Sequence, residues 1–163
     1  MHIIGSDKDV NYHFDAEKTA DAVAFGECGK IAGDIKWSLD KNGVLTIDGK
    51  GEMLDDMQSV WDGYAELIRE VKISEGITSI GDYAFEGFTE LVSADIPESV
   101  TVIGANAFAC CSSLKSVNIP AGVTELYIET FIECDALENI EVSAENESYD
   151  SIDGVLFTEG AKS

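Results

Sequence analysis

The chain has 163 residues, 45% of them apolar, enough for one domain with a real core, and no apolar stretch approaches the roughly 20 residues a membrane-spanning helix needs. Its net charge of −22 is spread along the whole length, by count −4 over residues 1–27, −4 over 28–67, −10 over 68–142 and −4 thereafter. With no basic surplus in any segment, the composition argues against nucleic acid, whose phosphates require Lys and Arg, and against insertion into or attraction to an anionic membrane.

Residues 1–27 show little periodicity and read as a loosely ordered leader or linker. Within it, Asp15 to Ala24 predicts one short helix capped by Asp15, while Met1 to Val10 lacks the basic start and apolar middle of an export signal. Residues 28–67 read as an N-terminal cap. Alternating runs at Trp37–Leu39 and Val44–Ile47 flank Asp40-Lys41-Asn42-Gly43, which supplies hairpin turn residues. Val60, Trp61, Tyr64, Leu67 and Ile68 then fall at helical spacing within Met57–Ile68.

From Val71 onward the chain repeats itself every 23 residues, and residues 68–163 read as one repeat region. Ile73, Ile96, Ile119 and Val142 keep that step, as do Ile80, Ile103 and Leu126; Phe85, Phe108 and Phe131; and Leu91, Leu114 and Leu137. The polar residues between them drift, so the fixed set is core and the drifting set is surface. In each copy a strand with the period of two ends near a proline, Pro97 or Pro120, and a Gly-x-x-Ala-Phe run predicts a turn and a short helical or 3₁₀ back. A coil this thin cannot bury its own apolar edge, so the coils must stack into a solenoid with a continuous parallel sheet. The fold class is therefore an α/β solenoid of 23-residue coils behind a hairpin-plus-helix cap.

The stretch Leu91 to Cys111 meets, almost position by position, the pattern Leu-x-x-Val-x-Ile-Pro-x-x-Val-x-x-Ile-Gly-x-x-Ala-Phe-x-x-Cys, and on that ground the chain resembles the BspA-like leucine-rich repeats, the LRR_5 class. The segment from Cys28 to Tyr64 is similar to what commonly precedes such repeats, and Asn146 to Phe157 to the hairpin insert they often carry. Tyr127 stands for the usual Gly, Thr130 for Ala and Phe88 for Cys, so the third coil is expected to be locally reshaped. The resemblance implies a bacterial cell-surface or secreted protein, of a group in which some members act in adhesion. Because the chain stops soon after the strand-like Val155-Leu156-Phe157, it is expected to be a piece of a longer protein that carries its export signal elsewhere.

Catalytic chemistry is sparse. The only histidines, His2 and His13, lie in the leader, which disfavours a nucleophilic triad. Thirty-two carboxylates make some close pair inevitable, so a pair is no sign of a glycosidase. Gly49-Lys50-Gly51 lacks the rest of a phosphate loop, and Asp40 to Gly43 lacks the later ligands of a calcium loop. No cofactor is expected. Cys111 and Cys134 hold equivalent places on consecutive coils, near enough for a disulfide, yet in-register parallel side chains often miss its dihedral, and buried free thiols are the favoured reading. Cys110 should lie nearer solvent, and Cys28 has no assignable partner.

A binding surface remains. The outward strand positions are Arg69, Glu70 and Lys72 on the first coil; Val92, Ser93 and Asp95 on the second; Lys115, Ser116 and Asn118 on the third; Glu138, Asn139 and Glu141 on the fourth. This face carries the only basic residues of 68–142, namely Arg69, Lys72 and Lys115. The expected function is a non-enzymatic protein-interaction or adhesion module whose partner is an extracellular or cell-surface protein, or a glycan. The alternatives are a spacer or targeting segment of a larger surface enzyme and, against the lack of an aromatic sugar platform, a carbohydrate-active domain.

Overall fold

The computed structural model describes residues 22–152 and 155–158. The first strand, β1 (Ala22–Glu27), pairs antiparallel with β2 (Ile35–Asp40), which pairs antiparallel with β3 (Val44–Gly49). In β2 the alternation is complete: Ile35, Trp37 and Leu39 are buried, and Lys36, Ser38 and Asp40 face outward. The turn between β2 and β3 is set by one carboxylate. Asp40 Oδ1 accepts the Asn42 and Val44 amides at 2.8 and 3.0 Å, and Gly43 takes the positive φ of 84° the reversal demands.

Ala22, Val23 and Ala24 are therefore strand, not the end of a helix begun at Asp15, and the rest of that expected helix lies outside the described residues. The expected helix over Met57–Ile68 is also shorter. Only α1 (Gln58–Trp61) and a 3₁₀ turn at Asp62–Tyr64 form, while Val60 and Leu67 are 48% and 56% exposed. Trp61 is the reason so small a helix stays in place. It is fully buried, stacked on Phe85 at 5.5 Å and met edge-on by Trp37 at 5.8 Å.

Coils follow at residues 68, 91, 114 and 137. The strands β5 (Glu70–Ile73) and β7 (Ser93–Asp95) extend the cap sheet in parallel, giving the order β1-β2-β3-β5-β7. Strands β9 (Ser116–Ile119) and β11 (Asn139–Val142) pair in parallel as a separate sheet. The single continuous sheet expected from the repeat is thus split between the second and third coils. Partners keep the repeat step, Glu70 opposite Ser93 and Ser116 opposite Asn139.

A second parallel sheet was not foreseen: β4 (Gly51–Glu52), β6 (Ile77–Ile80), β8 (Val102–Ile103) and β10 (Glu125–Leu126). β-branched residues dominate its two inner strands, β6 and β8, and threonines join the coils beside them. The Thr101 amide donates to the Thr78 carbonyl and the Thr124 amide to the Thr101 carbonyl, both at 2.8 Å, while the Thr101 and Thr124 hydroxyls donate to the same two carbonyls.

The backs of the first two coils are turns rather than helices. Tyr83 and Asn106 adopt positive φ, 57° and 58°, and one such residue between the glycine and the Ala-Phe pair interrupts any right-handed helical run. Neighbouring backs are still joined, by Phe85 N to Ala107 O at 2.7 Å and Phe108 N to Thr130 O at 3.0 Å. The first three coils are thus bonded to one another on their turn sides as well as through their strands. The third coil is reshaped: Tyr127 is extended, Ile128–Phe131 closes into a 3₁₀ turn, and the buried Thr130 hydroxyl donates to the Gly104 carbonyl at 3.1 Å.

Through the middle runs an aromatic column, Trp61, Phe85, Phe108 and Phe131, with centroids 5.5, 5.3 and 5.7 Å apart. Phe88 belongs beside it, 6.1 Å from Trp61, because the first coil packs against the cap and has an aromatic-sized space there. Beyond β11, the hairpin β12 (Tyr149–Ile152) and β13 (Val155–Thr158) packs against that strand. Among the described residues no helix is long and apolar enough to cross a membrane.

Candidate functional site: the outer strand face

Every expected strand-face residue lies on the surface. Arg69, Lys72, Ser93, Asp95, Lys115, Ser116, Asn118, Glu138 and Glu141 are exposed, and Glu70 and Asn139 half-exposed. Pairing arranges them in two rows. One runs Val44, Glu70, Ser93, then Ser116 and Asn139 across the split; the other runs Thr46, Lys72, Asp95, then Asn118 and Glu141. Within each paired sheet, neighbours along a row stand about 4.8 Å apart, which makes the rows a polar array held by backbone pairing.

The cap extends the second row further than the sequence indicated. Thr46 lies opposite Ser38 and Ser38 opposite Phe25, so an aromatic ring stands on the outer face of β1. No signal pointed to it, because the stretch that holds it had no periodicity.

Arg69, Val92, Lys115 and Glu138 form a column at the strand mouths, linked by Val92 N to Arg69 O at 2.9 Å, Lys115 N to Val92 O at 3.5 Å and Glu138 N to Lys115 O at 3.1 Å. Two of the three cations of residues 68–142 therefore stand at one margin, whereas Lys72 sits in the middle of the face, 3.7 Å from Glu70. With both groups substantially exposed, that pair contributes little to stability and leaves Lys72 available to a ligand.

The thiols are occupied with the backbone. Cys111 Sγ donates to the Phe85 carbonyl at 3.3 Å and Cys134 Sγ to the Phe108 carbonyl at 3.0 Å, each 26 residues back. A small residue with a weak donor is what these turns need. Burial drives the Cys111 thiol pKa strongly upward and pushes that of Cys28 to about 12. Cys134 is only half-buried, more accessible than its repeat position suggested. Cys110 points the other way and donates to Glu133 Oε2 at 3.2 Å, a bond that, with some burial and the nearby negative charge, raises its pKa to about 11. Such a thiol is a poor nucleophile at neutral pH.

The pattern of the BspA-type leucine rich repeat region matches residues 63–159 in six copies. The chain belongs to the BspA-type leucine-rich repeat family. It is similar in structure to a leucine-rich repeat protein from Eubacterium ventriosum, with 25% identity and a TM-score of 0.50 over 80% of this chain and 48% of that one. Weaker likenesses join it to a leucine rich cell surface protein from Faecalibacterium prausnitzii, at 20% identity and TM-score 0.36 over 81% and 58% of the two chains. The T. pallidum leucine rich repeat protein gives 18% identity and TM-score 0.42 over 69% and 70%. The BspA-type chain thus spans about half the length of the first two structures it matches. No curated protein matches it.

Proposed function

We propose that this BspA-type solenoid is a non-enzymatic adhesion module of a bacterial cell-surface or secreted protein, engaging an extracellular protein or a glycan through its outer strand face. The observation that carries the reading is the outer row from Phe25 through Ser38, Thr46 and Lys72 to Asp95, held in register by backbone pairing across five strands. A preordered array loses little entropy on binding, which is how a face of short polar side chains gains affinity. Arg69, Lys72 and Lys115 are the only basic residues of 68–142, so an acidic or sulfated ligand would have to bind the repeats at this face. The BspA-type membership supports the surface setting.

The test is a binding screen of the full chain against immobilised matrix proteins and sulfated glycans at low salt. For any ligand found, the triple variant R69E/K72E/K115E should bind at least tenfold more weakly. An affinity unchanged within twofold would remove the strand face as the site.

A further inference from the structure

Between the second and third coils the strand side opens while the other sides stay closed. The mouth-column bond from Lys115 N to Val92 O stretches to 3.5 Å, and β7 and β9 belong to different sheets. At the same junction Thr124 N to Thr101 O is 2.8 Å and Phe108 N to Thr130 O is 3.0 Å. β7 stops at Asp95, whereas β9 runs one position further, to Ile119. Past the end of β7 lies a groove of about 170 Å³, lined by Ile96, Glu98, Asn118, Pro120, Glu141 and Val142.

Its floor is apolar and its rim anionic. Ile96 and Val142 share a repeat position with the buried Ile73 and Ile119 but are themselves only half-buried, so part of the core is displayed in the groove. Glu98 and Glu141 are exposed. Glu141 Oε1 accepts the Asn139 amide at 2.7 Å, and the Glu98 backbone is held by its amide donating to Glu75 Oε1 at 3.0 Å, so both carboxylates spring from restrained positions. The sequence has no Lys or Arg from residue 116 to residue 161.

We propose that this groove receives one arginine or lysine side chain of a partner protein, a contact that rests on reading the chain as an interaction module. The volume decides the size class. It is below the roughly 300–1,000 Å³ of small-molecule sites and suits a single long side chain. The aliphatic stem lies on Ile96, Pro120 and Val142, and the cationic head meets Glu98 and Glu141, each part of the ligand matched by its own part of the groove.

The probe is N-acetyl-arginine amide, titrated at low salt into the ¹⁵N-labelled full chain. Saturable amide shifts are expected at Ile96, Glu98, Asn118, Ile119 and Glu141, and the variant E98Q/E141Q should weaken them at least tenfold. The variant E125Q/E129Q removes the same charge from other sides of the third coil and should stay within twofold of the parent. N-acetyl-citrulline amide, similar in shape but uncharged, should give no saturable shift. Shifts spread evenly over the acidic surface, equal losses in the two variants, or an equal response to citrulline would overturn the proposal. The groove and the basic residues share no side chain. If the groove fails while R69E/K72E/K115E still loses its matrix ligand, the groove alone is rejected and the strand-face reading stands.

Discussion

Asn146 reaches back one coil to Val123 and closes the backbone that the end of the third coil would otherwise leave open. Its Nδ2 donates to the Val123 carbonyl at 3.1 Å and to the Pro120 carbonyl at 2.8 Å, while its Oδ1 accepts the Ser148 and Tyr149 amides, both at 2.8 Å. By the repeat step it stands where Val100 and Val123 stand in earlier coils. A core valine has become a buried amide with four partners. The Asn146→Ala change takes a partner from all four backbone groups, of which the Pro120 carbonyl keeps the Val123 amide at 3.3 Å, and should cost about 2–4 kcal/mol in urea denaturation. A loss under about 1 kcal/mol would mean water replaces the amide without penalty.

Phe108 is fully buried in the aromatic column between Phe85 and Phe131. Phe108→Ala should destabilise the fold by about 3–5 kcal/mol. Equilibrium unfolding measures it, and a value below 1 kcal/mol would contradict the column.

A Cβ at Gly104 would lie 2.5 Å from Asp82 N and 2.6 Å from the Gly81 carbonyl carbon, both backbone atoms that cannot swing aside. Gly104→Ala should therefore cost about 2–3 kcal/mol by overpacking, whereas Gly63→Ala, with open space around it, should change stability by less than about 1 kcal/mol. Equal effects of the two substitutions would show that the coils can part to admit a methyl group.

Cys110 sets access against reactivity. A thiol pKa raised from 9.0 to about 11 cuts the thiolate fraction at pH 8 roughly a hundredfold, and the higher intrinsic nucleophilicity of such a thiolate recovers about half of that on a logarithmic scale. Native-state alkylation should thus be about tenfold slower than for a free cysteine, and Glu133→Gln should restore most of the rate. Mass-mapped labelling reads both, and an unchanged rate in the variant would remove Glu133 as the cause.

Burial keeps Cys28 protonated in the folded state up to about pH 12, whereas an unfolded cysteine ionises near 9.0. Its contribution to stability is full below pH 9.0 and is lost as pH rises toward 12, at roughly 1.4 kcal/mol per pH unit in that window. Cys28→Ala should flatten the alkaline fall in stability by about that slope, whatever it does to stability at neutral pH. Parallel pH curves for the two proteins would show that the thiol is not the titrating group.

The sequence carried what repeats. Strand partners such as Glu70 with Ser93 follow from the step, and Phe85, Phe108 and Leu114 from its apolar positions. It did not carry features made where the repeat fails. The Asn146 closure depends on one polar residue in an apolar column, and the split beside Lys115 on small displacements that no periodicity encodes. β1 was missed because Val23-Ala24-Phe25-Gly26 alternates too weakly to mark a strand, although its partner β2 alternates clearly. The second sheet was missed for a different reason. Its strands are as short as Val102–Ile103, below the length at which a two-residue period can be read.

The split beside Lys115 also bears on how the molecule would yield to tension. The coils are joined side by side, so a pull along their stacking axis peels them apart one at a time. Bonds at neighbouring coils are then loaded in turn, not all at once. On the strand side the junction of the second and third coils begins with its bond already at 3.5 Å, against 2.9 and 3.1 Å on either side, so that side should open there first. Each coil that detaches and straightens frees its 23 residues, roughly 80 Å of extended chain, so a short solenoid can lengthen severalfold before its cap is reached.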